Sequence, residues 1–452
     1  MIRIANGQGF WGDWLEAPVR LVEQGPIDYL ILDYLAEVTM SILQKQKERD
    51  PKLGYASDFP PLIGKLARKL RQGNIKVIAN AGGVNPVDCA RKVMEYAPDL
   101  NVAVVVGDDV LTRLDDFLAA GHEMRDMDTG APLSSIRDKV LSANAYIGAF
   151  PLAEALNAGA DVVIAGRSTD TALALAPMIH AFGWQDRDWN KLAAGTISGH
   201  IVECGAQCSG GNCQVDWQSI PDMANIGYPV IEAEADGTFV VTKHPGTGGR
   251  VHSDTVKEQL LYELGDPKRY ITPDCVADFT SIQLEDIGPD RVRVSGIRGS
   301  ERPATLKLSI SYAAGWKAIG TLVYSHPQAI EKAQAAGRIV RARLAGLGLQ
   351  FDAIETEYFG LNACLGAAAP PIADPAEIQL RIGVRGPDRK AVDRFTRELI
   401  PLVLNGPPGA TGFGDGRPPV REIVAYWPAL IARELIPTRV EVISAMVGSQ
   451  AD

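Results

Sequence analysis

The sequence has no apolar run long enough to span a bilayer, and its N-terminus shows no charged segment leading into an apolar one. A membrane span and a secretory leader are therefore not expected. It also lacks any cluster of Lys and Arg. With a net charge of −10, this argues against nucleic acid or an anionic membrane surface as a partner. An anionic ligand would have to be held by local donors. Cysteine is sparse, six in 452 residues, which points to free thiols and a reducing, cytoplasmic setting rather than a disulfide framework. Cys204, Cys208 and Cys213 stand in a C-x3-C-x4-C spacing with no second CxxC or HxxxH, so no tetrahedral metal site is expected. The loop Asn6–Asp13 is glycine-rich but lacks the third glycine of a dinucleotide fingerprint, and no helix opens directly on it.

What remains is an ordinary globular composition, 46% hydrophobic and 22% charged, in a chain too long for one core. Two domains are expected, 1–220 and 221–452. In the first, short continuous apolar runs alternate with helical patterns: Ile2–Ala5, Tyr29–Leu32, Ile75–Ala79, Asn101–Val106, Ala145–Ala149 and Asp161–Ala165. Strands of that kind predict an α/β fold with a parallel sheet covered by helices on both faces. An open sheet is favoured over a partial barrel. In either case ligands sit at the carboxyl ends of the strands. Those ends carry Gly9, Asp13, Asp33, Glu37, Asn80, Gly82, Asp108, Asp109, Arg167 and Asp170.

The stretch Ala160–Leu175 shows the pattern best. An apolar strand runs through Gly166-Arg167-Ser168-Thr169-Asp170 into a helix, with Ser168 or Thr169 placed to cap it and Asp170 in its first turn. Unpaired amides at the positive end of a helix, beside a fixed Arg, suit an anion. A plain strand-to-helix turn is the alternative. Next comes the glycine-rich stretch Gly195–Asn212, where His200 and Glu203 are spaced to act as an acid/base pair, Glu203 orienting the imidazole. A hydrogen-bonded structural His200 is the competing reading, and Cys204 is either a nucleophile or a packed thiol.

After residue 221 the pattern changes. The cationic loop Lys243–Arg250, with Gly248 and Gly249, precedes the helical pattern Ser253–Leu264 and repeats the anion-friendly arrangement. Strands with period-2 alternation follow, Thr305–Tyr312 among them. Two strand–helix–strand units then suggest an α+β layer of ferredoxin-like kind, serving substrate closure and subunit contacts.

The motifs NGQGFWGD (Asn6–Asp13), DYLAE (Asp33–Glu37), NAGGVNP (Asn80–Pro86) and AGRSTDTALAL (Ala165–Leu175) resemble the acyclic terpene utilisation AtuA-like family. So do GHIVECGAQCSGGN (Gly199–Asn212) and the long segment Gly246–Asp274. The resemblance runs over nearly the whole chain. It implies catabolism of branched acids through CoA thioesters. It also implies a small α/β domain, lost here or supplied as a separately encoded small subunit.

Residues and resemblance together give the expectation of a lyase or hydro-lyase, with hydrolase as second choice. It would act on a branched or hydroxylated carboxylic acid or its CoA thioester. His200, Glu203, Asp13, Asp33 and Asp109 are the acid/base candidates. Gly9, Asn80, Gly82, Arg167, Ser168, Thr169, Asp170, Gly248 and Gly249 are the anion-binding ones. No cofactor is expected beyond CoA as part of the substrate, and an Mg²⁺ site of oxygen ligands ranks below a metal-free one. A homo-oligomer is expected from apolar surface that the missing domain would leave exposed. The alternative is a non-catalytic subunit that holds a carboxylate or CoA-like ligand.

Overall fold

The computed structural model describes residues 1–443 except Phe413 and Asp415. In chain order the strands begin with β1 Ile2–Gln8, β2 Tyr29–Leu32, β3 Lys76–Ala79, β4 Val102–Val106, β5 Val140–Ala145 and β6 Val162–Ala165. They continue with β7 Pro229–Ala233, β8 Phe239–Lys243, β9 Tyr270–Ile271, β10 Val276–Asp278, β11 Gln283–Gly288 and β12 Arg291–Ser295. The last are β13 Arg298–Ser300, β14 Thr305–Ser325, β15 Ala353–Phe359, β16 Glu377–Gly386, β17 Arg421–Ala432 and β18 Arg439–Ile443.

Five of these, in the order β1-β2-β3-β6-β4, run parallel and form the centre of a sheet. Every residue of β2 and β6 is buried, as expected of parallel strands covered on both sides. Alternate residues feed two separate cores. Ile31, Ile78, Ala103 and Val163 pack on one face with helices Phe150–Asn157, Ala172–Phe182 and Trp189–Val202. Leu30, Val77, Val104 and Val162 pack on the other with helices Ala17–Gln24, Phe59–Gly73 and Pro86–Tyr96. Antiparallel strands extend the sheet on both flanks, β7, β8, β12 and β11 beyond β1, and β18 beyond β4. The result is an open mixed sheet, not a barrel.

Two details differ from the expectations. The segment Ala145–Ala149 is not a sheet strand. The strand is Val140–Ala145, and it pairs with β14 instead. Ile147 then bridges to Ser168, and the Ala149 amide donates to Asp274. The compact units also divide elsewhere: one is residues 1–311 with the chain from Tyr426 onward, the other Tyr312–Ala425. A boundary at 220 falls inside the first unit. The alternating strands after 221 looked like a new layer, but they hydrogen-bond onto the edge of the parallel sheet.

The second unit runs as strand, helix, strand, strand, two short helices (Arg389–Phe395 and Leu402–Asn405) and strand. Its sheet order is β15-β16-β14-β17, with antiparallel pairing of β15 to β16 and of β16 to β14. Helix Ala329–Gly346 buries Ala333, Ala336 and Val340 against Leu322, Leu380 and Ile382 in its core.

Candidate active site

Side chains tie the carboxyl ends of β2, β3, β4 and β6 to one another. Asn80, after β3, donates to Asp33 Oδ1 at 2.7 Å and accepts from the Tyr34 amide at 2.7 Å, joining the ends of β2 and β3. The Gly82 amide donates to the Ala165 carbonyl at 3.0 Å, joining β3 to β6. Asp108, after β4, accepts from the Arg167 amide at 2.7 Å and from Asn144 at 2.9 Å. Gly166 lies directly on this carboxylate, where an added methyl group would come within 2.5 Å of both oxygens.

The side chain of Arg167 is the hub. It is 1% exposed, and its Nη1 donates to the Leu35 carbonyl and, at 3.1 Å, to Asp170 Oδ1. Its Nη2 stands 3.9 Å from Glu37 Oε1, and its guanidinium carbon sits 4.3 Å from the centre of the Tyr146 ring. The Tyr146 hydroxyl donates to Glu37 Oε1 at 2.6 Å. Asp170 and Glu37 form the open side of the group, with side chains 38% and 44% exposed. The helix expected to start at once begins only at Ala172. Neither Ser168 nor Thr169 caps it through its side chain. The Thr169 amide is engaged by the Ile147 carbonyl instead, and Ser168 Oγ is buried without a partner among the described residues. Thr171 Oγ1 and Arg167 Nε are likewise buried and unpartnered.

A second group adjoins the end of β1. The start of the glycine-rich stretch, Gly195–Gly199, lies inside helix Trp189–Val202. Its glycines serve close helix crossing: a methyl at Gly199 would approach the Thr171 backbone to 2.7 Å. The helix carries His200, whose Nδ1 is 3.2 Å from Glu203 Oε1 and 3.4 Å from the Tyr270 hydroxyl. The imidazole is 1% exposed and packed against the rings of Tyr270 and Phe279. Asn6 on β1 fixes the helix end through the Val202 and Glu203 carbonyls. Gly9 packs on the same point, since a methyl there would meet the Cys204 backbone at 2.9 Å.

The electrostatics follow from burial and from an excess of carboxyls over cations. Burial, then repulsion by Asp170, holds Asp33 well above the ordinary carboxylate range despite Arg167 and Asn80. Burial pushes Asp108 up to about 7, and Asp170 and Glu203 are raised for the same first reason, opposed by Arg167 and His200 respectively. Glu37 goes the other way. Burial raises it, but the Tyr146 hydrogen bond and the charges of Arg167 and Lys307 outweigh that and leave it below its ordinary value. Burial lowers His200, yet its bond to Glu203 wins and the imidazole is raised. Burial and the Glu203 carboxylate push the Cys204 thiol up to about 12, so it has no thiolate character at neutral pH.

The remaining expected residues are engaged in their own loops. Asp13 accepts from the Gly9 and Trp14 amides and from Tyr228, which closes its own loop. Asp109 is exposed and accepts from the Leu111 amide, while its neighbour Asp108 points inward. Gly248 packs on the Asp222 backbone. Gly249 has φ +79°, and a methyl there would lie 2.6 Å from the Ser209 carbonyl oxygen. Of the two fixed cations of that loop, Lys243 is paired with Asp290 at 3.0 Å, and the Nε of Arg250 is buried without a partner among the described residues. Among the described residues no three His, Cys, Asp or Glu side chains are grouped to hold a metal ion. None of their helices is long and apolar enough to cross a membrane. Sequence reasoning missed Tyr146, Tyr270, Lys307 and Tyr426. Tyr146 stood inside a stretch read as a buried strand, and nothing in the pattern near Tyr426 marked it.

No curated protein and no solved structure matches the chain. The family model described as acyclic terpene utilisation family protein AtuA matches residues 2–442. The chain belongs to the acyclic terpene utilisation family AtuA.

Proposed function

We propose that the chain is a hydro-lyase that adds or removes water across a carbon–carbon bond beside the carbonyl of a branched carboxylic acid or its CoA thioester. The observation that supports this most directly is the pairing of a buried Arg167 with a half-exposed Asp170 above a buried Asp33, at the carboxyl edge of the parallel strands. Loss of water needs a base for the proton next to the carbonyl and an acid for the departing hydroxyl. Asp170, accessible and with a raised pKa, is the base. The His200–Glu203 pair, both of whose groups are raised, is the acid and shares one proton across its 3.2 Å contact, with Glu203 delivering it. The α-proton goes to Asp170, the double bond forms as the C–O bond breaks, and the Glu203 proton leaves with the hydroxyl as water. Return of the proton between the two carboxyls through solvent restores the starting state.

His200 is then a positioning residue, because its ring is enclosed by Tyr270 and Phe279 and its Nδ1 is held by Glu203. The enolate oxygen that develops would be met at the turn before Ala172, where the amides of Asp170 and Thr171 have no acceptor among the described residues. The family's association with acyclic terpene utilisation favours a branched acyl substrate.

The test is a panel of branched 3-hydroxyacyl-CoA thioesters, their 2,3-unsaturated counterparts and the free acids, scored by mass for loss or gain of water. Turnover of one hydroxy/unsaturated pair is expected. Saturable binding with no turnover of any member would contradict the proposal in favour of a ligand-holding subunit.

A further inference from the structure

We propose that the ammonium group of Lys307, held beside the rings of Tyr146 and Tyr426, is a second anion-binding subsite of this site. The substrate then carries an anionic group besides the carbonyl it presents to Asp170, an assignment that rests on the acid-substrate reading above. Lys307 Nζ lies 5.3 Å from the centre of the Tyr146 ring and 5.5 Å from that of Tyr426. The backbone fastens it there, because the Tyr146 amide donates to the Lys307 carbonyl at 2.9 Å. It is therefore part of the Arg167–Tyr146–Glu37 assembly.

What distinguishes Lys307 is the lack of a partner. Arg167 is engaged by Leu35, Asp170 and Glu37, and His200 by Glu203. Lys307 Nζ makes no hydrogen bond and no ion pair with a described residue. The carboxylate it influences, Glu37, is already taken by the Tyr146 hydroxyl at 2.6 Å. A lysine ordinarily carries its ammonium out to water or onto a carboxylate, because a partly desolvated charge without a counter-ion is unfavourable. Here the residue is half-buried and the ring faces supply only part of that compensation.

The surroundings say what the missing partner is. Asp33, Glu37, Asp170 and Glu203 line the neighbouring groups, and the molecule as a whole is negative. An anion entering there is repelled by these carboxylates and finds in Lys307 an unpaired charge of opposite sign. Tyr426, which is within hydrogen-bonding reach of Tyr146 and 37% exposed, adds a neutral donor at the rim. The ligand class is an anionic oxygen group, either a second carboxylate of the acid or a phosphate of its carrier.

Calorimetric titration of the full chain with succinate, butyrate and coenzyme A tests this without catalysis, so its outcome is separate from whether the chain turns a substrate over. Succinate is expected to bind more tightly than butyrate. Lys307→Gln should weaken succinate or coenzyme A by roughly 10- to 100-fold, the range for one charge-assisted hydrogen bond, and leave butyrate unchanged. Lys307→Arg should keep most of the affinity. A loss confined to succinate assigns the carboxylate, and one confined to coenzyme A assigns the phosphate. The inference is overturned if the wild type binds neither, or if folded Lys307→Gln binds all three as the wild type does. An equal loss for butyrate also overturns it, since Lys307 would then be the primary carboxylate site.

Discussion

The guanidinium of Arg167 lies 4.3 Å from the centre of the Tyr146 ring, and the hydroxyl of that ring donates to Glu37 at 2.6 Å. One aromatic side chain thus holds both a buried cation and the carboxylate at its open side. Tyr146→Phe keeps the ring over Arg167 but removes the hydrogen bond that does most to hold Glu37 down. It should cost about 1.5–3 kcal/mol, as for hydrogen bonds to charged groups, and raise the Glu37 pKa. Chemical denaturation and carboxyl-carbon NMR titration measure the two effects. A variant as stable as the wild type, with Glu37 unmoved, would show that the contact is incidental.

Gly166→Ala tests the contact between β6 and Asp108. The new methyl would meet both carboxylate oxygens at 2.5 Å, and the carboxylate is fixed by Arg167 and Asn144. Overpacking of this kind costs about 1–3 kcal/mol. Denaturation midpoints of Gly166→Ala, Asp108→Ala and the double variant should be non-additive, with the double variant recovering part of the loss.

Asp108 also sets a pH dependence. Burial raises it to about 7 in the folded chain, against 3.8 when exposed. A carboxyl raised by folding contributes stability that is fully present below its unfolded pKa and is lost as pH rises through its folded pKa. The contribution is therefore complete below about pH 4 and lost above about pH 7, amounting to roughly 4 kcal/mol at most. Asp33, Asp170 and Glu203 act with the same sign. In Asp108→Asn the melting temperature should fall less between pH 4 and pH 8 than in the wild type. Parallel curves would show that Asp108 does not titrate in this range.

Much of this arrangement was legible in the sequence, because continuous apolar runs such as Val162–Ala165 and Tyr29–Leu32 can hardly be anything but buried parallel strands. Their carboxyl ends then had to share one edge, which is why Asp33, Asn80, Gly82 and Arg167 could be placed near one another from pattern alone. Residues joined across long separations were not legible. Tyr146 reaches Glu37 over 109 positions, and no local periodicity encodes that. The helical state of Gly195–Gly199 was hidden for a different reason. Glycine lowers helix propensity, and its role there, close approach to the Thr171 backbone, depends on a neighbour that the local pattern does not reveal. The unit boundary was hidden because antiparallel strands can extend a parallel sheet as well as begin a new one.

The sequence left His200 open between a base oriented by Glu203 and a hydrogen-bonded structural residue, and its enclosure by Tyr270 and Phe279 supports the second reading. His200→Ala should therefore cost stability, about 3 kcal/mol or more, from the cavity and the unpaired Glu203 together. Urea denaturation measures it. Should the variant unfold like the wild type while turnover vanishes, His200 is itself the base.

The proposed proton transfer to Asp170 is tested by comparing Asp170→Asn with the wild type on a turned-over substrate. The asparagine keeps the side chain's shape and a carbonyl oxygen toward Arg167 but cannot accept the α-proton. The expected result is a loss of roughly 10²- to 10⁴-fold in kcat, the range for a general acid or base, with the melting temperature close to that of the wild type. Turnover by folded Asp170→Asn at the wild-type rate would contradict it.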